Sequence, residues 1–306
     1  PNHALPAQNA FNLAYGGKSL FISTGHRQSS KIHNKFDFDN SRAHNTIVPD
    51  GLTQSSETDG FGWVPRFAHG EKYTYFVGDA SSAYCNSRKP SADGTKEVAV
   101  TTTVNRFRRH MLILRPNILI IYDELGAKDP YEWRLKLHSL RKITKHKGGI
   151  HAFNEHADVN VHFWGSDKLK INVTDQYMFP AVNVRGKKVK GKLPIYPNTW
   201  HATTAPVKKH KKFRFLTIMQ IQPKSGKLKV IHPKRLAAGK FQVADYQITC
   251  QLNAAKPSYF KVMKKDKTFA LVSGAGVKEL VVGNKKLSAN TKGTTLFFEK
   301  AKGKEY

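Results

Sequence analysis

Acidic residues are scarce in this chain. Asp and Glu number 22 against 51 Lys and Arg, a formal net charge of +29, and the excess runs through segments such as 187–192 and 208–212 rather than sitting in a tail. A field of that sign concentrates polyanions at the surface. Nucleic acid, an anionic membrane surface and acidic polysaccharide are therefore the candidate partners, with a solvated basic face and no specific ligand as the plain alternative. Cysteine is nearly missing as well: Cys85 and Cys250 lie far apart, which excludes a disulfide framework or a thiolate metal site and leaves two unpaired thiols as the expectation. No apolar run approaches the ~20 residues of a membrane helix. Gly16-Gly17 has no helix behind it to make a phosphate loop, no nucleophile elbow is present, and no histidines have HxH or HxxxH spacing. Initiator Met and signal peptide are also missing; the chain starts at Pro1 inside what reads as a structural element, so a processed product or fragment is expected.

What is present is strand-forming. Apolar runs at 10–15 and 19–22 flank Gly16-Gly17, which tolerates the positive φ of a tight turn, and this reads as a hairpin. Residues 31–40 are polar and aromatic without periodicity and read as a long loop. A strand at 46–48 ends at Pro49-Asp50-Gly51; aromatic-rich strands follow at 60–68 and 72–77, then a loop over 79–93. The segment RRHMLILRPNILIIYDEL predicts a hairpin with strands at 109–114 and 118–122 around Arg115-Pro116-Asn117, apolar enough to be central. Further strands are expected at 133–140, 159–164, 169–173, 213–222, 227–231, 241–252, 258–262, 268–272, 278–282 and 294–299. No segment carries a capped helical repeat. The expectation is an all-β chain, a large antiparallel β-sandwich forming one domain over 1–306, with a long basic loop at 186–197.

Among the 14 histidines, His69, His110, His146, His151, His156, His201, His210 and His232 show no partner pattern. His3 and His44 stand apart, because the first begins the opening hairpin and the second begins a strand that could pair beside it, bringing two proton-handling groups together. With His26 or His33 they offer imidazoles, but nothing in the spacing supports a divalent metal near His44. Trp63 beside Arg66, and Trp200 beside His201, have the makings of a sugar-stacking surface, although core packing is the favoured role for each. The NVT triplet at Asn172 has the form of a glycosylation acceptor, a pattern common by chance.

HALPAQNAFNLAYGGKSLF, SRAHNTIVPDGLTQ, RRHMLILRPNILIIYDEL and WRLKLHS, in that order over the first 140 residues, resemble the C-terminal β-sandwich of the heparinase II/III-like polysaccharide lyases. The resemblance implies a β-elimination lyase of acidic polysaccharides, with heparin or heparan sulfate favoured over alginate, working with a helical toroid that this sequence lacks. It implies a catalytic role for His3, substrate contacts from Asn9 and His44, and a periplasmic or secreted bacterial location; Arg27 and Arg42 at the hairpin's edge, and Trp63 with Arg66, are substrate-binding candidates from the residues themselves. Metal-binding members carry ligands where this chain has Leu5, Ser23 and His44; only the last can ligate, so no metal and no cofactor is expected. The toroid, as a separate chain or fragment, would supply the catalytic tyrosine. A non-catalytic acidic-glycan-binding module is the alternative. Nucleic-acid binding ranks last, because its recognition motifs are absent.

Overall fold

The computed structural model describes residues 5–91, 95–226, 232–290, 295–301 and 304–305. His3 and the strand expected at 227–231 lie outside them. Among the described residues the chain is all-β and antiparallel, as an eight-stranded sheet with smaller sheets stacked on both of its faces.

The eight-stranded sheet is built on the hairpin of Val104–Leu114 and Ile118–Tyr131, which pair from Leu114↔Ile118 to Val104↔Ala127. His210–Pro223 flanks Ile118–Tyr131, and Ala157–Gly165 follows beyond it. Side chains alternate across a strand, so an uninterrupted apolar run needs a partner layer on each face. Both are there. Met111, Leu119, Ile121 and Met219 share one buried cluster with Trp133, Leu135 and Leu137 of the strand Trp133–Ser139, part of a four-stranded front sheet. Leu112, Ile120, Tyr122, Leu216 and Ile218 share another with Phe241, Ile248, Phe260 and Leu271 of a C-terminal seven-stranded sheet. Beyond that sheet, Ala270, Val272 and Phe298 pack under the small hairpin Glu279–Val282/Lys285–Ser288.

Four differences from the sequence reading have physical causes. Regular pairing in the opening hairpin covers only Leu13–Tyr15 and Lys18–Phe21, because side chains capture the main chain before it. Residues 31–40 are not a loop: Ser30 caps Lys31–His33, which runs into a π-helical turn at Asn34–Phe38 closed by the Asp39 N–H on the Asn34 carbonyl. The span 79–93 contains the strand Asn86–Pro90, whose polar, mostly exposed sequence carries no strand signal, paired with Glu97–Thr101. Residues 241–252 form two strands, Lys240–Val243 and Tyr246–Cys250, turning at Ala244 with φ 46°, a residue that announces no turn. Residues 186–197 lie in an irregular connection between Leu169–Thr174 and Trp200–Pro206 of the front sheet.

Candidate functional site

The segment Pro6 to Phe11 has no sheet partner, and its main chain is held by side chains instead. Ser41 Oγ donates to the Pro6 carbonyl at 2.7 Å. Gln54 takes both groups of Gln8, its Oε1 accepting the N–H at 2.6 Å and its Nε2 donating to the carbonyl at 3.0 Å. Thr46 Oγ1 donates to that same carbonyl, and Asn45 Nδ2 donates to the Phe11 carbonyl at 2.8 Å. Ser41, Asn45, Thr46 and Gln54 are all buried. In such surroundings an unmatched amide or hydroxyl costs about 1–3 kcal/mol, so the four fix the segment's path closely. The sequence SRAHNTIVPDGLTQ is thus a clamp.

Arg109 fastens this clamp to the central sheet. Its guanidinium, 1% exposed, binds both oxygens of Asp123 at 2.7 and 3.0 Å, and its Nη1 donates to the carbonyls of Asn9 at 2.8 Å and Asn45 at 3.0 Å. On the opposite face His110, for which the sequence offered no partner, bridges Tyr75 and Glu124. Burial alone would raise the Glu124 carboxyl, but the His110 hydrogen bond, with the charges of His110, Arg214 and Arg106, brings it down to about 2.

Behind the clamp lies a layer of buried histidines. His44 Nδ1 meets Ser23 Oγ at 2.8 Å, and Asn45 Oδ1 accepts the backbone N–H of His138. The rings of His138 and His201 lie edge to face, 5.1 Å apart. The Nε2 atoms of all three have no hydrogen-bond partner among the described residues. Burial holds them neutral, pushing His44 down to about 4 and His201 to about 3, with His138 also well below its ordinary value.

Where the clamped segment begins, a cavity of about 1010 Å³ opens, lined in part by Leu5, Pro6, Gln54 and the π-helical turn. Arg27, Lys35 and Arg88 reach it, as do the acids Asp39, Glu57 and Glu97. Of the residues expected at the site, Arg27 lines this cavity. Arg42 does not: its guanidinium is spent on Glu97 and on the carbonyls of Phe36 and Gly51, which makes it a brace for the helical turn. Asn9, in the left-handed region with φ 57°, donates Nδ2 to the carbonyls of Gly78 and Phe107 and so anchors the segment. His44 is buried and turned to Ser23, not to the cavity, and its following strand Ile47–Pro49 pairs with Trp133–Ser139 rather than with the opening hairpin. Trp63 is exposed on an edge strand, and Arg66 reaches Ser273 of the C-terminal sheet; neither lines the cavity. Sequence reasoning missed Lys35, Arg88 and Gln54 there. A Gln paired with a distant main-chain segment leaves no local signature, and the cations are indistinguishable from the other basic residues.

The metal positions fit poorly. Leu5 has no donor atom, the Ser23 hydroxyl is taken by His44, and among the described residues no group of three His, Cys, Asp or Glu is arranged to hold a metal ion.

A protein-family model described as heparinase II/III-like, C-terminal, matches residues 1–195. Among solved structures, heparinase III with methylated lysines matches with TM-score 0.55 and 13% identity, over 86% of this chain and 35% of that one. Heparan sulfate lyase HepC from Pedobacter heparinus matches with TM-score 0.52 and 11% identity, over 89% of this chain and 37% of the other. A structure named heparinase III gives 0.51 and 13%, over 96% and 36%. At such identities the likeness is one of fold, and the chain spans roughly a third of the length of these structures. No curated protein sequence matches.

Proposed function

Because the chain belongs to the heparinase II/III-like C-terminal domain family, we propose that it is the β-sandwich part of a lyase that cleaves acidic, uronate-containing polysaccharide by β-elimination. Heparin or heparan sulfate is the favoured polymer and alginate the alternative. The observation that carries this reading is the clamp: the main chain from Pro6 to Phe11 is gripped by buried side chains at the mouth of a cavity. His3 lies three positions upstream of that grip in sequence.

The chemistry sets the requirements. A base takes the proton from C5 of the uronate, the electron pair forms the C4–C5 double bond, and the C4–O bond breaks as the leaving oxygen takes a proton. That C5 proton is weakly acidic until the neighbouring carboxylate is offset by positive charge or hydrogen-bond donors. In this reading His3 handles a proton or helps neutralise the carboxylate, and Arg27, Lys35 and Arg88 hold the polymer's anionic groups in the cavity. The remaining groups, including the tyrosine, belong to a helical toroid, and the enzyme works outside the cytoplasm. The reading assigns no role to a metal, because Leu5 has no donor atom and the Ser23 hydroxyl is engaged by His44.

The test is ultraviolet absorbance of the unsaturated uronate, followed for the toroid-containing enzyme on several uronate polymers. Product on a sulfated polymer, lost in His3→Ala without a change in melting temperature, supports the reading. A salt-sensitive heparin complex that never yields product replaces it with the glycan-binding module.

A further inference from the structure

The cavity by the clamp does not account for the charge of this chain. Arg27, Lys35 and Arg88 stand there with Asp39 and Glu57, while Glu97 is already paired with Arg42, so the cavity carries little net charge. A second concavity differs. Between one end of the central sheet and the C-terminal sheet runs a groove of about 1280 Å³, lined by Lys128, Lys211, Lys212, Arg235 and Lys240, with no Asp or Glu among its lining residues. All five cations are exposed. No ion pair engages any of them among the described residues, and Asp167 approaches the groove only at His210, 3.2 Å from its Nε2.

The groove's construction follows from two irregularities. The pairing of His210–Pro223 with Ile118–Tyr131 slips between His210 and Lys212, and a bulge at such a point re-aims the side chains around it. A second slip lies between Arg235 and Ala237. The tight turn at Gly239, with φ +68°, brings the backbone so close to the Cys250 carbonyl that a Cβ would sit 2.3 Å from it, which fixes Arg235 and Lys240 beside the 250–259 loop. That loop adds uncharged donors: Gln251 and Asn253 spend their side-chain oxygens on the backbone N–H groups of Asn253 and Ala255, leaving their amide NH2 groups for a ligand. The groove is rich in donors.

We infer that this groove is a second binding site, for a stretch of linear acidic polysaccharide, separate from the cavity at the clamp. Its residues come mostly from beyond position 195, outside the span matched to the family. Lysine is a solvated point charge suited to sulfate or carboxylate groups spaced along a flexible chain, and the free amides suit sugar hydroxyls. Tyr259 is the only Phe, Tyr or Trp among the described lining residues, joined by the His210 imidazole, whereas single-stranded nucleic acid is gripped through successive stacked bases. The assignment to polysaccharide rather than another polyanion rests on the lyase reading above; the presence of an anion-holding groove does not. Its role is to hold the polymer while a distant bond is cut, raising the effective concentration of that bond at the cavity.

The test compares two variants of equal charge loss. Lys211→Gln/Lys212→Gln/Arg235→Gln/Lys240→Gln strips the groove, and Lys187→Gln/Lys188→Gln/Lys190→Gln/Lys192→Gln strips the basic connection. Binding of a size-defined fluorescent heparin oligosaccharide is measured at fixed salt, after melting temperatures establish that both variants fold. The groove variant is expected to bind on the order of tenfold more weakly, because each exposed charge contact contributes little by itself, and the connection variant within about twofold of the parent. Equal losses, or no loss in either, overturn the groove. Single-stranded DNA of equal charge displacing the oligosaccharide as effectively as unlabelled heparin overturns the glycan assignment. Because binding is read without turnover, a failure of the lyase reading appears separately, as absence of unsaturated product with the groove effect intact.

Discussion

Arg109 and the histidine layer carry the least replaceable chemistry at the scale of single residues. Arg109 neutralises Asp123 inside the central sheet while its Nη1 holds the carbonyls of Asn9 and Asn45. Arg109→Met leaves a buried carboxylate unpaired and is expected to cost about 3–5 kcal/mol in urea denaturation. Adding Asp123→Leu removes that charge and should recover part of the loss, but amide exchange at residues 9–11 should stay fast because the carbonyl grip is still gone. Full recovery of both would mean that Arg109 serves only its ion pair. The histidines predict a pH effect of definite sign. His44 is held at about 4 when folded, against about 6.5 in an unfolded chain, so between those values the unfolded state takes up a proton that the folded state refuses. Stability therefore falls as pH drops from about 6.5 to about 4, by roughly 3 kcal/mol for a shift of this size. His201 and His138 add to it, with Lys136 reinforcing the effect and Asp175 opposing it at His201. His44→Gln should flatten the dependence; an unchanged slope would contradict it. None of this layer was legible in the sequence, since His138 and His201 meet only because the strands Trp133–Ser139 and Trp200–Pro206 pair with these two residues opposite each other.

At the scale of elements, the segment Pro6 to Phe11 and the clamp behave as one unit. Gln54→Met removes both hydrogen bonds to Gln8, leaving its carbonyl to Thr46 alone and its half-buried N–H without this acceptor, an expected cost of about 1–3 kcal/mol. Hydrogen exchange should rise at residues 7–10 while Ile120, in the middle of the central sheet, stays protected; a uniform rise would show that the clamp and the core melt together. The central hairpin was readable from RRHMLILRPNILIIYDEL because doubly buried strands are apolar on both faces, and the aromatic strand Tyr73–Asp79 was readable from its alternation. The hairpin Asn86–Pro90/Glu97–Thr101 was not, since outward-facing polar strands look like loops. The opening hairpin was half legible: Gly16-Gly17 placed the turn, but the capture of its first half by Ser41, Asn45, Thr46 and Gln54 is a long-range event without a local signal.

The whole molecule is larger than the span matched to the family. Residues 1–195 omit Trp200–Pro206 of the front sheet and His210–Pro223 of the central sheet, the strand that pairs with both Ile118–Tyr131 and Ala157–Gly165. They also omit the C-terminal sheet that covers Leu112, Ile120 and Tyr122. A chain cut after Ile195 is therefore expected to aggregate or lack cooperative unfolding, as seen by circular dichroism and gel filtration; a soluble, cooperatively melting fragment would contradict this layering. On the same scale the charge is unevenly placed, with cations and acids together at the cavity and cations without acids among the described residues lining the groove. The central claim is that the clamped N-terminal segment belongs to a β-eliminating site for acidic polysaccharide. It is tested most directly by following unsaturated-uronate absorbance when the toroid-containing enzyme meets heparan sulfate, heparin and alginate, with His3→Ala alongside. The account predicts absorbance on a sulfated polymer that disappears in His3→Ala at unchanged melting temperature, and absorbance on none of the three, or full activity in His3→Ala, would contradict it.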